Sequence, residues 1–135
     1  MEDGTDDVAD DEFLYRRVPT STHWYEPATG LKPEAFGPHK ENDPTGISVS
    51  RAKYTAIKAA ARGRQGRTYY VAVLRAGDLR HMGIEVEPRP LPGDPGHAEL
   101  PALNSANRKD DRTLELQRLL ADLCTHTEGP FPTVE

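Results

Sequence analysis

The stretch Thr68-Tyr69-Tyr70-Val71-Ala72-Val73-Leu74 decides the fold, because aromatic and β-branched residues in close succession are typical of a strand. Its nearly continuous apolar character predicts a central strand that is covered on both faces. Shorter strands are indicated by aromatic or alternating patterns at residues 13–18, 47–50, 84–87 and 97–100. The sequence therefore predicts a small mixed sheet of about four to five short strands.

Two stretches predict the main helices. Ser50 is a suitable N-cap for a helix over residues 51–62, which Gly63 would end. From about residue 111 to 125, four leucines fall within about 100° of arc, which is the core-facing stripe of a second helix (Leu116, Leu119, Leu120 and Leu123). Two main helices are too few for a doubly wound sheet, so we expect the α+β class.

The domain organisation follows from length and composition. A chain of 135 residues is one domain, and its 12 prolines and 11 glycines indicate long loops. Residues 1–12 contain seven acids and almost nothing to bury, which predicts a disordered acidic tail. The α+β domain is expected over residues 13–128 and a frayed C-terminus over residues 129–135. Large apolar side chains are expected to hold the first proline-rich loop to the core (Trp24, Tyr25 and Phe36).

The compartment is inferred from cysteine usage and from the N-terminus. Cys124 is the single cysteine, so no disulfide forms within the chain. The N-terminus is acidic where a secretory signal is basic and then apolar. No stretch approaches the roughly 18 apolar residues of a membrane span. These features predict a small soluble cytoplasmic domain that does not enter a membrane.

Charge is strongly segregated along the chain. Residues 51–80 carry eight bases and one acid, whereas residues 1–50 carry eleven acids and four bases. On the predicted helix and the turn after it, five cations would form one basic stripe (Arg51, Lys58, Arg62, Arg64 and Arg67). Such a stripe favours docking onto an acidic surface of a partner protein.

The common catalytic and metal-binding motifs are missing from the sequence. Five histidines are scattered, none at helical ligand spacing, and there is no Cys-x-x-Cys, so no metal site is predicted. Cys124 lies on the apolar margin of the second helix, where a thiol behaves as a small hydrophobe. The serines lack the Gly-x-Ser-x-Gly context of a nucleophile elbow.

One constellation of residues points to an enzyme. Arg16 and Arg17 end the first predicted strand, Ser48 lies on the second, and Glu99 lies on the last. This order of arginine, serine strand and late glutamate resembles that of the ADP-ribosyltransferases. The resemblance implies NAD as co-substrate, with an arginine on a phosphate, the serine strand at the nicotinamide and the glutamate on a ribose hydroxyl. The Ser-Thr-Ser and Glu-x-Glu forms of that family are absent.

Three functions follow from these patterns. The favoured interpretation is a non-catalytic binding or accessory module that needs no cofactor and engages an acidic partner protein through the basic stripe. The first alternative is an NAD-using enzyme similar to the ADP-ribosyltransferases. The second alternative is a nucleic-acid-binding domain, because Tyr69 and Tyr70 lie near the cations in sequence and aromatic rings stack on bases.

Overall fold

The computed structural model describes residues 4–64 and 66–132, so predictions made for residues 1–3, Gln65 and residues 133–135 lie outside it. Within that part, eight strands run Phe13–Pro19 (β1), Tyr25–Glu26 (β2), Gly30–Leu31 (β3), Ile47–Arg51 (β4), Thr68–Arg75 (β5), Glu87–Pro88 (β6), His97–Leu100 (β7) and His126–Pro132 (β8). The α-helices run Ile57–Ala60 (α1), Ala76–His81 (α2) and Asp111–Leu123 (α3), with 3-10 turns at Pro33–Phe36 and Ser105–Asn107.

Six of these strands form one sheet in the order β6-β7-β4-β1-β5-β8, and β2 and β3 form a separate hairpin. Every neighbouring pair in the sheet is antiparallel. The α+β class is confirmed, but the mixed sheet of four to five strands is wrong in number and direction. The stretch 84–87 contributes only its last residue to β6, although Ile84 and Val86 are buried as their alternation predicts.

The pairing of β1 with β5 divides the sheet into two faces. Seven residue pairs join these strands, from Phe13 opposite Arg75 to Pro19 opposite Tyr69. Because side chains alternate across a strand, Leu14 and Val18 point to one face while Tyr15 and Arg17 point to the other. The first face carries the main core, and the second carries a smaller apolar cluster beside polar side chains.

The main core packs α3 and the first 3-10 turn against the first face. Leu116 and Leu120 of α3 are buried there with Leu14 and Leu74 of the sheet. Phe36, at the end of the 3-10 turn, is fully buried in the same core. Since burial of large apolar side chains is the main favourable contribution to folding, these contacts fix the layers of the domain.

The predicted helix over residues 51–62 is the clearest error. Ser50 does not cap a helix, because β4 continues through Arg51, which lies opposite Leu14 of β1. A turn follows, and helix is confined to Ile57–Ala60. Local helix propensity is a weak preference, and here pairing with β1 and β7 overrides it.

Arg51 explains why β4 extends so far. Its guanidinium is fully buried and binds Glu12 through two bonds, of 2.7 Å from Nε and 2.9 Å from Nη2. Nη2 also donates to the Asp6 carboxylate at 3.1 Å, and Nη1 donates to the backbone oxygens of Gly4 and Asp6. These bonds satisfy the buried charge, as burial of a guanidinium requires.

The ends of the chain also differ from the expectation. Residues 4–12 were expected in a disordered tail, but Val8 is buried in the main core and Asp6 binds Arg51, Lys53 and Tyr54. Hydrogen bonds from Lys53 and Tyr54, together with Arg51, hold the pKa of Asp6 well below its usual value. Residues 129–132, expected to fray, form the end of β8 beside β5.

Candidate functional site: an arginine-lined cleft

A cleft of about 800 Å³ opens between β1 and β4, where the two strands separate, and is lined by residues from both faces of the sheet. Its floor includes Tyr15 and Ser48, and its walls come from residues 59–64 with Arg67 and from the loop around Pro33–Phe36. Five arginines contribute to its lining (Arg16, Arg17, Arg62, Arg64 and Arg67). Three carboxylate residues also line it (Glu34, Asp43 and Asp94).

Arg16 fills the gap between β1 and β4. The two strands pair at Leu14 and Tyr15. Beyond this point, hydrogen bonds from the Arg16 side chain replace the backbone pairing. Nη1 donates to the Ser48 carbonyl at 2.8 Å and Nε donates to the Ala35 carbonyl at 3.1 Å. Burial lowers the pKa of Arg16 to about 10; the Asp43 carboxylate acts in the opposite direction and Arg17 in the same one, so the group stays charged at neutral pH.

Arg17 and Tyr69 hold the opposite wall in place. Arg17 donates from Nη1 to the Arg62 carbonyl, and its guanidinium lies 5.2 Å from the centre of the Tyr69 ring. The Tyr69 hydroxyl accepts the backbone N–H of Arg64 at 2.8 Å. Tyr69 is buried with Ala61 and neighbouring apolar side chains in the smaller cluster. A hydrophobic contact and two backbone hydrogen bonds therefore position the arginine-bearing segment over the sheet.

The cleft arginines form no close ion pair with the described carboxylates. Within residues 4–64 and 66–132, none of the five forms an ion pair with a carboxylate within 4.0 Å. Arginines elsewhere do, including Arg51, Arg75, Arg80 and Arg89. The acidic segment before β1 pairs with Arg51, Lys53 and Arg80, and with none of the cleft arginines. The exposed Arg62, Arg64 and Arg67 thus present guanidinium groups to an anion, whereas Arg16 and Arg17 already donate to backbone carbonyls.

The predicted basic stripe is only partly assembled. Arg62, Arg64 and Arg67 come together at the cleft, and all three are exposed. Arg51 does not belong to this surface, because it is fully buried beneath the acidic N-terminal segment. Lys58 is exposed on α1 and is not among the lining residues. Arg16 and Arg17 join the cluster instead, through strand pairing that local sequence patterns do not reveal.

A serine and a histidine form a second polar contact in the cleft. Ser48 of β4 and His97 of β7 lie on the same face, and Ser48 Oγ is 3.1 Å from His97 Nε2. His97 Nδ1 is 2.9 Å from the Arg89 carbonyl oxygen. In the sequence His97 is one of five scattered histidines. Strand alternation would place it beside Ser48, but only once the register of β4 and β7 is known.

The residues named by the ADP-ribosyltransferase resemblance are brought close but not into one pocket. Arg16, Arg17 and Ser48 line the cleft, and Glu99 lies directly opposite Ser48 in the β4–β7 pair. The Glu99 carboxylate accepts a 2.6 Å hydrogen bond from Thr45 Oγ1 and is not among the lining groups. The two arginines and the serine therefore lie in the cleft, and the glutamate lies next to it.

Within the described ranges, no group of three or more histidine, cysteine, aspartate or glutamate side chains is arranged to hold a metal ion. No helix in this part of the chain has the length and apolar content to cross a membrane. Comparison with known proteins gives no relative: no family model, no curated protein and no solved structure matches this chain.

Proposed function

We propose that this chain is a binding module whose arginine-lined cleft receives an acidic segment of a partner protein. The observation that carries the proposal is the convergence of five arginines, none of which forms an ion pair within 4.0 Å of a described carboxylate. Each guanidinium presents a planar fork of donors that fits a carboxylate. Hydrogen bonds to charged groups contribute about 1.5–3 kcal/mol each, so a few of them suffice for specific binding.

The shape of the site favours a protein segment over a nucleic-acid strand. Its volume of about 800 Å³ lies within the range of concave small-molecule pockets, a size that suits a compact anionic group such as an acidic side chain. Non-specific binding of single strands instead uses a long basic groove with exposed aromatic rings. Tyr69 is buried, and Glu34, Asp43 and Asp94 interrupt the positive lining. The buried Tyr69 ring is therefore not available for stacking on bases.

Charge reversal at the cleft tests this proposal. In the double variant Arg62→Glu and Arg67→Glu, we expect affinity for a fluorescein-labelled oligoglutamate peptide to fall about 100-fold or more. The loss follows from removing two charge-assisted contacts and adding repulsion. Fluorescence anisotropy would measure it, and binding of the unaltered protein should weaken between about 50 and 200 mM salt.

The matched control is Lys109→Glu with Arg118→Glu, which makes the same change in net charge at exposed positions that do not line the cleft. We expect this control to reduce peptide affinity only slightly. Equal losses in the two double variants would contradict a specific cleft. Tighter binding of a labelled single-stranded oligonucleotide than of the peptide, lost in the cleft variant, would favour the nucleic-acid alternative.

The NAD-using enzyme is kept as a second candidate because Ser48 lies opposite Glu99 and Arg16 holds the Ser48 carbonyl. For this candidate we expect slow nicotinamide release from NAD, measured by chromatography, and its loss in Glu99→Ala. Glu87→Ala is the control, since Glu87 is an exposed glutamate of the neighbouring strand. Absence of nicotinamide release from the unaltered protein would count against the enzyme.

We place the module in the cytoplasm. Cys124 is a free thiol that donates to the His126 carbonyl, and burial raises its pKa. A thiol kept protonated by burial reacts slowly with oxidants. This chemistry suits a protein that uses no disulfide and works in a reducing compartment.

A further inference from the structure

The Ser48–His97 contact has a defined polarity. The Arg89 carbonyl oxygen only accepts, so His97 Nδ1 at 2.9 Å must carry a hydrogen and donate to it. In the neutral imidazole, Nε2 then has no hydrogen and is an acceptor. Ser48 Oγ, 3.1 Å away, therefore donates its hydroxyl hydrogen to Nε2. This is the arrangement in which a histidine acts as a base toward a serine.

The position of the pair adds a second argument. Both residues line the cleft and are half-buried, so a bound molecule can reach the hydroxyl. Arg16 fixes the Ser48 backbone through its carbonyl, and the β4–β7 pairing fixes His97 relative to Ser48. The base is thus oriented by a backbone carbonyl, and the hydroxyl by a strand.

We propose that Ser48 is a nucleophile activated by His97 and that the cleft hydrolyses carboxylic esters whose acyl group carries a negative charge. This reaction goes beyond the proposed binding role, because it gives the module an esterase activity that the sequence patterns do not predict. The anionic substrate class rests on the proposed binding of acidic groups by the cleft arginines. The nucleophile itself rests only on the geometry of Ser48 and His97.

The reaction balances with water as the only co-reactant. Ser48 Oγ attacks the ester carbonyl carbon while its proton passes to His97 Nε2, and the tetrahedral oxyanion forms near the guanidinium groups of the cleft. The bond from carbon to the alcohol oxygen then breaks, and His97 gives its proton to the leaving alcohol. Water attacks the acyl-serine with His97 again as base, which releases the carboxylic acid and restores the Ser48 hydroxyl.

A fluorophosphonate probe tests the nucleophile directly, because Ser48 Oγ would displace fluoride from phosphorus and leave a stable adduct. We expect mass spectrometry to locate the adduct on Ser48 of the folded chain, and urea unfolding to abolish the labelling. Ser48→Ala should remove it, and His97→Gln should slow it about 100-fold or more, as loss of a general base does. Ser21→Ala is the matched control, since Ser21 is an exposed serine outside the cleft lining, and should leave the rate unchanged.

Several results would contradict the assignment of Ser48 as a nucleophile. They are no adduct, equal labelling of Ser50, which also lines the cleft, the same labelling rate after unfolding, or an unchanged labelling rate in a folded His97→Gln variant. Wild-type labelling of the folded and unfolded chain keeps the test decisive if a variant fails to fold. Substrate class is measured separately with p-nitrophenyl acetate and mono-p-nitrophenyl succinate. Faster hydrolysis of the succinate supports the anionic class, whereas equal rates would contradict that part and leave the nucleophile in place.

Discussion

Replacing the buried arginine, Arg51→Met, is expected to lower the free energy of unfolding by about 3–5 kcal/mol, as removal of one partner from a buried ion pair does. The side chain is fully buried and binds Glu12 and Asp6. Methionine fills much of the same volume but leaves the Glu12 carboxylate, which is only 9% exposed, without its cation. A carboxylate in that position must recover water or take up a proton, and either change disfavours the native packing.

Urea denaturation followed by circular dichroism would measure the loss. Arg75→Met is the matched control, because Arg75 pairs with Asp78 at the surface with 41% of its side chain exposed. Exposed ion pairs contribute about 0–1 kcal/mol, so this variant should remain close to the unaltered protein. If the two variants unfolded at the same urea concentration, Arg51 would not be the anchor of the N-terminal segment.

The second large effect is expected at Phe36. Phe36→Ala should lower the free energy of unfolding by about 3–5 kcal/mol, because it removes a fully buried aromatic ring and leaves a cavity. The ring packs the 3-10 turn Pro33–Phe36 into the core beside α3. Its neighbour Ala35 supplies the carbonyl that accepts from Arg16, so the same substitution should also loosen the cleft.

Thermal unfolding would measure the stability change, and peptide affinity measured well below the melting temperature would report on the cleft. Phe13→Ala is the control, because Phe13 is 43% exposed and does not belong to the main core. It should cost far less stability and leave affinity unchanged. A Phe36→Ala variant as stable as Phe13→Ala would show that the 3-10 turn does not depend on this ring.

Local sequence patterns were sufficient to predict several strands and the longest helix. The stretches predicted as strands at residues 13–18, 47–50, 68–74 and 97–100 are strands, and the leucine stripe predicted α3 to within two residues of its end. The expectation that Trp24, Tyr25 and Phe36 hold the first loop to the core is confirmed, since Phe36 is buried and the other two, partly buried, pack against the core. In each case the periodicity of apolar residues reports which face is buried.

Other features depend on residues far apart in sequence. Residues 51–62 have the composition of a helix, yet Arg51 lies in a strand opposite Leu14 and binds Glu12 and Asp6, some 40 residues earlier. β8 contains two prolines and a glycine, which indicate a loop, and it becomes a strand by pairing with the edge of β5. In neither case does the local sequence identify the partner.

The candidate site likewise depends partly on local sequence and partly on tertiary structure. The sequence by itself determined an α+β chain with its charge concentrated at residues 51–80, because composition and apolar periodicity are local properties. Tertiary structure decided which cations share a surface: it buried Arg51, brought Arg16 and Arg17 to Arg62, Arg64 and Arg67, and set Ser48 beside His97. Strand register determines these positions, because a shift of one residue would turn Arg17 and Ser48 to the opposite face of the sheet.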